Sequence, residues 1–200
     1  MNMPISYHST TGLEEQVKNR FKKANLAQEY TRAMLVRSQA LELAARYGVD
    51  QKQVSAAALL LNISRLIPEQ EYLKLAEEYD TEILPEERQN PHLLHQKISR
   101  ILAVEEFNIS DKEVLNAIAC HTTLRPSATL LDKIIFIASK QNGSNTQKMI
   151  FKNKKKIASE QDLNKSAFSY LFNEVKNQVT TVHPLAQQAL SDLMPNNKNG

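Results

Sequence analysis

The sequence predicts an all-α protein, and three observations carry that prediction. Apolar residues recur at spacings of three and four in one segment after another, no segment shows the strict alternation of a half-buried strand, and only 4 of the 200 residues are glycine. The length suits one domain with a substantial core. A single helical domain is expected over residues 11–195, between a disordered start at 1–10 and a disordered tail at 196–200.

The elements follow in order. Thr11-Gly12-Leu13-Glu14 has the form of a capping box and starts a first helix that fades near Asn25. From Gln28 to Tyr47 the set Ala33, Val36, Ala40, Leu43, Ala44 and Tyr47 marks one buried helical face, and Gly48 ends that helix as a C-cap. Asp50 caps the next helix, which carries Ala56-Ala57-Ala58-Leu59-Leu60-Leu61 and is apolar nearly all round, as suits the centre of a bundle. Three helices are expected at 68–79, 91–107 and 111–121: Pro68 and Pro91 sit in first turns, Asn90 is an N-cap, and Ser110-Asp111-Lys112-Glu113 is a capping box. A helix from Ala128 to Lys140 points Leu130, Leu131, Ile134, Ile135 and Ile137 mostly inward. A loop and basic stretch at 141–158 follows, containing Gln141-Asn142-Gly143-Ser144-Asn145. Ser159 caps a helix through Val179, and His183-Pro184 leads into a short last helix.

Charge excludes little. The net charge is +3, with 25 basic residues against 22 acidic ones, so nucleic acid is not an expected partner. Lys152-Asn153-Lys154-Lys155-Lys156 is the one true charge run, and without interleaved aromatic residues it reads as a solvated surface rather than an RNA-binding strip. The single cysteine, Cys120, rules out an internal disulfide and reads as a small buried hydrophobe. The longest apolar stretch, Val54 to Leu61, falls far short of the roughly 20 residues that a spanning helix needs. With no charged-then-apolar leader, a cytoplasmic location away from membranes is expected.

From Tyr30 to Lys140 the order of segments resembles the HD-domain phosphohydrolases that cleave diadenosine tetraphosphate symmetrically into two diphosphates. The resemblance rests on Ala40-Leu41-Glu42-Leu43-Ala44-Ala45-Arg46-Tyr47-Gly48, Asn90-Pro91-His92-Leu93-Leu94-His95, Glu113-Val114-Leu115-Asn116-Ala117-Ile118, His121-Thr122-Thr123 and Leu131-Asp132-Lys133-Ile134-Ile135-Phe136-Ile137-Ala138. A weaker likeness runs past Ser159 and includes Val182-His183-Pro184-Leu185. It implies an HD-domain-like helical bundle. In that family a histidine from the first long helix, a His-Asp pair, two further histidines and a late aspartate surround two divalent ions. Imidazoles and carboxylates suit first-row metals, and ions about 3.5–4 Å apart activate water and neutralise phosphoryl oxygens.

The carry-over keeps only part of that set. The first histidine falls on Arg32, which has no lone pair; the His-Asp pair falls on Leu61-Asn62; and the late aspartate falls on Ser139. His95 and His121 match the two later histidines and are the remnant metal ligands. Glycines usual in the family are replaced by Gln96 and Leu124, which should narrow the pocket, and the family's Ile-Glu-Pro-x-Arg pattern is missing beyond Ser139. Arg125 matches the phosphate-facing arginine and Arg65 falls where a lysine follows the His-Asp pair, so that Arg125, Arg65 and Arg32 are candidate phosphate-binding residues.

Two readings stand for each. His95 and His121 are relics hydrogen-bonded within the bundle, or they touch a ligand; Arg32 forms an ion pair with Asp132 or a nearby glutamate, or binds an anion; Arg65 and Arg125 face phosphate, or sit on the surface. His92, three residues before His95, has helical spacing for shared metal ligation but no third ligand near in sequence, and reads as a surface residue. The resemblance therefore implies a catalytically silent homologue, with no catalytic residue assigned, that keeps binding of a nucleotide or other phosphorylated small molecule, or serves a protein partner. No cofactor is expected; if there is one, it is divalent iron, manganese or cobalt at His95 and His121. The alternative is weak metal-dependent phosphohydrolase activity through a remodelled site of His95, His121, Asn62 and Asp132.

Overall fold

In a computed structural model of the protein, residues 10–141, 160–177 and 182–194 are described. They form ten α-helices, and no strand occurs among the described residues: α1 (Thr10–Lys23), α2 (Ala27–Tyr47), α3 (Gln51–Leu60), α4 (Tyr72–Glu78), α5 (Pro85–Gln89), α6 (His95–Glu105), α7 (Lys112–Ala119), α8 (Leu130–Gln141), α9 (Glu160–Asn177) and α10 (Pro184–Leu193). The apolar run in α3 lies where its all-round hydrophobicity requires: Val54 and Ala56 through Leu61 are at most 1% exposed, and α3 touches α1, α2, α6, α7 and α8. Each buried leucine there stabilises by roughly 1.5–3 kcal/mol. A second helix is equally enclosed, since Ile134, Ile135, Phe136, Ile137 and Ala138 of α8 are all fully buried. Helices α1, α2, α6 and α7 pack on α3 and helices α2, α7 and α9 on α8, and α1 is tied in by Arg37, whose guanidinium donates to Ser55 Oγ at 2.6 Å and to Glu14 at 2.8 Å.

Several helix ends are formed by the expected residues. Gly48 closes α2 in the left-handed region at φ 67°, its N–H on Ala44 O, a conformation that glycine takes without steric cost. The Asp50 carboxylate accepts from the N–H groups of Lys52 and Gln53 and starts α3. Helix α8 starts at Leu130 rather than Ala128, with a reciprocal cap that was not expected from the sequence: Asp132 accepts from Thr129 N at 2.9 Å and Asp132 N donates to Thr129 Oγ1 at 3.2 Å.

Others differ. The first helix begins at Thr10, inside the segment expected to be disordered. Asp111, not Ser110, caps α7, because its carboxylate reaches both Glu113 N and Val114 N. Pro68 lies outside the helix it was expected to begin: its ψ of 138° keeps the chain extended, and only a 3₁₀ turn at Glu69–Glu71 leads into α4. Pro91 opens a 3₁₀ turn through Leu94, the Asn90 side chain makes no cap, and α6 begins only at His95. Helix α5 was not anticipated; Pro85 stands at its first position. The 1–9 start, the 142–158 loop with Lys152–Lys156, the Ser159 cap and the 196–200 tail lie outside the described residues. No described helix is long and apolar enough to cross a membrane.

The C-terminal helix is anchored by buried charge. His183 precedes α10, with Nδ1 accepting from Leu185 N at 3.1 Å, so that Nε2 carries the proton and donates to Glu87 Oε1 at 3.2 Å. Glu87 is fully buried, and its other oxygen accepts from Leu84 N and from Lys97 Nζ, each at 2.8 Å. Three donors hold the carboxylate below its ordinary pKa although burial pushes it up.

Candidate functional site

His95 opens α6 and His121 follows α7, and the packing of α6 on α7 brings the two rings together. Their centroids are 5.1 Å apart at 86°, edge to face. Each ring donates Nδ1–H to a carbonyl three residues back, His95 to His92 O at 3.0 Å and His121 to Ile118 O at 2.8 Å. Such bonds fix the tautomer and leave the lone pair on Nε2, the arrangement that a metal-ligating histidine uses. Burial keeps both rings neutral: His121 falls to about 4, and His95 well below its usual range, where the His121 ring adds to the effect. His92 stacks outside His95 with centroids 5.4 Å apart, but its side chain is 46% exposed and faces Glu69 at 3.0 Å.

The chain itself engages one of these rings. Thr122 Oγ1 donates to His95 Nε2 at 2.8 Å and takes up that lone pair, whereas His121 Nε2 has no hydrogen-bond partner among the described residues. Gln96, at one of the glycine positions of the resemblance, is fully buried; it accepts from Thr122 N at 3.2 Å and donates to Thr123 Oγ1 at 3.1 Å. Leu124, at the other, is also fully buried and keeps a left-handed backbone with φ 59°, which glycine would adopt more readily.

A cation stands beside the imidazoles. The Ser139 hydroxyl is within hydrogen-bond distance of His121 O at 3.0 Å and Phe136 O at 2.7 Å, which lays the end of α8 against the histidine. The next residue, Lys140, is 11% exposed, lies 5.2 Å from the Phe136 ring centroid and pairs with Glu174 of α9 at 2.6 Å. Its charge acts on both His95 and His121 and pushes each further toward the neutral form. Burial lowers the Lys140 pKa, and Glu174 opposes that shift. Composition and motif reading missed Lys140 and Glu174; the one available signal was a lysine directly after Ser139, while nothing local in the sequence marks Glu174.

The three candidate arginines are in different circumstances. Arg32 is 60% exposed and pairs with Glu29, one turn back on α2, at 3.1 Å, rather than with Asp132. Arg65 is exposed and makes no side-chain hydrogen bond or ion pair among the described residues. Arg125 grips fully buried Asp132 through Nε at 2.9 Å and Nη2 at 2.8 Å, both on Oδ2, while Oδ1 has no partner. Cys120 is 2% exposed beside this pair, and burial pushes its thiol well up. Leu61 is buried in the core and Asn62 is half-buried.

This donor set does not fit a pair of divalent ions. Of the two imidazoles one is already engaged, Ser139 directs its hydroxyl at carbonyls, Asp132 is committed to Arg125, and an ammonium stands nearby. Among the described residues no three His, Cys, Asp or Glu side chains are grouped to hold a metal ion.

The described residues form an all-helical bundle with a pair of histidines packed between two helix ends. The model of the HD domain matches residues 30–141, and the chain belongs to that family. It is 34% identical over 145 residues to an uncharacterized protein of the pepC 5′ region in Lactococcus lactis subsp. cremoris, covering 72% of this chain and 74% of that one. It is 32% identical over 111 residues to the symmetrical bis(5′-nucleosyl)-tetraphosphatase of Bacillus subtilis (strain 168), covering 54% of this chain and 58% of that protein's length. Among solved structures, a predicted HD superfamily hydrolase involved in NAD metabolism from Clostridium acetobutylicum superposes with a TM-score of 0.80 at 28% identity, over 90% of this chain and 95% of the other.

Proposed function

We propose that this HD-domain protein does not carry out metal-dependent hydrolysis and instead binds a nucleotide or another phosphorylated small molecule, in the cytoplasm and without a metal. The observation that carries the reading is the donor set: Thr122 takes up His95 Nε2, Ser139 turns its hydroxyl to carbonyls, and Lys140, the next residue, carries a half-enclosed ammonium paired with Glu174. A fixed ammonium attracts phosphate oxygens but cannot lower the pKa of a bound water as an ion does, so binding outlives turnover. Arg65 is exposed and unpaired among the described residues and so is free to meet an anion, whereas Arg125 must share its guanidinium with Asp132.

The unengaged Nε2 of His121 favours the other reading, a residual phosphohydrolase. One assay separates them. The purified protein is incubated with diadenosine tetraphosphate and manganese, iron or cobalt, and metal content and diphosphate release are measured together. The proposal expects substoichiometric metal and no release; turnover that disappears in His121→Ala overturns it.

A further inference from the structure

The Lys140 side chain is 11% accessible, while its partner Glu174 is 30% accessible and sits on a different helix. The pair joins α8 to α9, so nothing local in the chain holds the two groups together. Glu174 is the more exposed partner, whereas Lys140 lies along the Phe136 ring. A buried ammonium needs an anion, and losing the carboxylate it pairs with leaves an uncompensated charge. Other anions of similar geometry can meet that need, and phosphate oxygens are among the strongest acceptors for it.

We infer that the Lys140 ammonium is the anchoring group of a metal-free site for a phosphate-bearing ligand, and that Glu174 is the resident anion that the ligand's phosphate displaces. This rests on the reading of the protein as a phosphate binder. His121 is tied to the end of α8 that carries Lys140, through the contact of Ser139 Oγ with His121 O. Glu174 thereby sets the threshold: an anion that does not outcompete one carboxylate is turned away, which selects polyphosphates over singly charged ions.

The experiment is calorimetric titration of the full chain with inorganic pyrophosphate, and separately with diadenosine tetraphosphate, in the presence of a chelator. Wild type is compared with Lys140→Met, Lys140→Arg and Glu174→Gln, the fold of each being checked by circular dichroism. Glu174→Gln should bind pyrophosphate at least about tenfold more tightly, Lys140→Met at least about tenfold more weakly, and Lys140→Arg should retain binding, since it keeps the charge. If Lys140→Met is unfolded, Glu174→Gln decides alone, with pyrophosphate expected to raise its Tm more than that of wild type. Equal affinity in wild type, Lys140→Met and Glu174→Gln overturns this inference while leaving phosphate binding intact. Binding by Glu174→Gln but not by wild type supports the displaced-anion arrangement and overturns the broader reading, and absence of binding in all proteins overturns both.

Discussion

The rings of His95 and His121 stand edge to face, 5.1 Å between centroids, with each Nδ1–H turned into a carbonyl of its own preceding turn. Two imidazoles that close cannot both be charged at modest cost, and Lys140 makes protonation of either less favourable still. The site is therefore a neutral pair under one fixed cation.

The neutral pair has a pH signature. The folded His121 pKa, about 4, lies below the ordinary value of 6.5, so the unfolded chain takes up the proton first. Stability is fully present above about pH 6.5 and falls as the pH drops toward 4, by about 3 kcal/mol from this residue at the usual 1.4 kcal/mol per pH unit. Urea melts between pH 7.5 and 4 should show the loss, reduced in His121→Phe. A His121 ring that titrates near 6.5 by NMR contradicts the burial argument.

Arg125 and Arg32 should separate sharply in stability. Arg125→Ala leaves the fully buried Asp132 carboxylate without its guanidinium and should cost about 3–5 kcal/mol, whereas exposed Arg32→Ala should cost less than about 0.5 kcal/mol. Arg125→Ala together with Asp132→Asn should recover part of the loss. Denaturant midpoints measure all three, and equal effects of the two single substitutions would show that Asp132 does not depend on Arg125.

Glu87 and His183 tie residues 96 apart in sequence. Glu87→Ala strands Lys97 and the His183 N–H together and should destabilise by about 3 kcal/mol, against about 1–2 kcal/mol for His183→Ala. Hydrogen exchange should locate the His183→Ala effect in α10. Uniform exchange across the bundle would argue against a local anchor.

Leu124 offers a reversal of the usual order of substitutions. It is fully buried at φ 59°, so Leu124→Ala loses the apolar contact and keeps the unfavourable backbone, whereas Leu124→Gly loses the contact but relieves the backbone. The glycine variant should be the more stable of the two by about 1 kcal/mol. Thermal melts decide, and an alanine variant at least as stable as glycine would refute the strained backbone.

Much of the fold was legible in the sequence because it is encoded locally. The buried set Ala33, Val36, Ala40, Leu43 and Ala44, the Asp50 cap and the Gly48 stop each depend on residues within one or two turns. The failures are also local but finely balanced: Ser110 and Asp111 both cap well, and only the backbone at Asp111 (ψ 113°) shows which does. At Pro68 and Pro91 3₁₀ turns take the place of an α-helical first turn. The site was legible only in part. His95 and His121 follow from motif, but the filling of their surroundings by Gln96, and the pairing of Lys140 with Glu174, 34 residues away in sequence, are set by helix packing. Arg32 and Arg125 were grouped by analogy of position, while the chain gives each a carboxylate of its own.

Lys140 has one further implication, for how the protein is supplied with positive charge. A cation borne on a side chain is made with the chain in fixed ratio, is not stripped by chelators, and does not change oxidation state. Anything that meets the face near His95 and His121 encounters a charge delivered by translation rather than by the free concentration of iron or manganese. Its reach is limited by a four-carbon tether fixed at the end of α8. Under the proposed metal-free binding, a cell short of transition metals would leave this centre unchanged while the loaded centres of metal-dependent enzymes emptied.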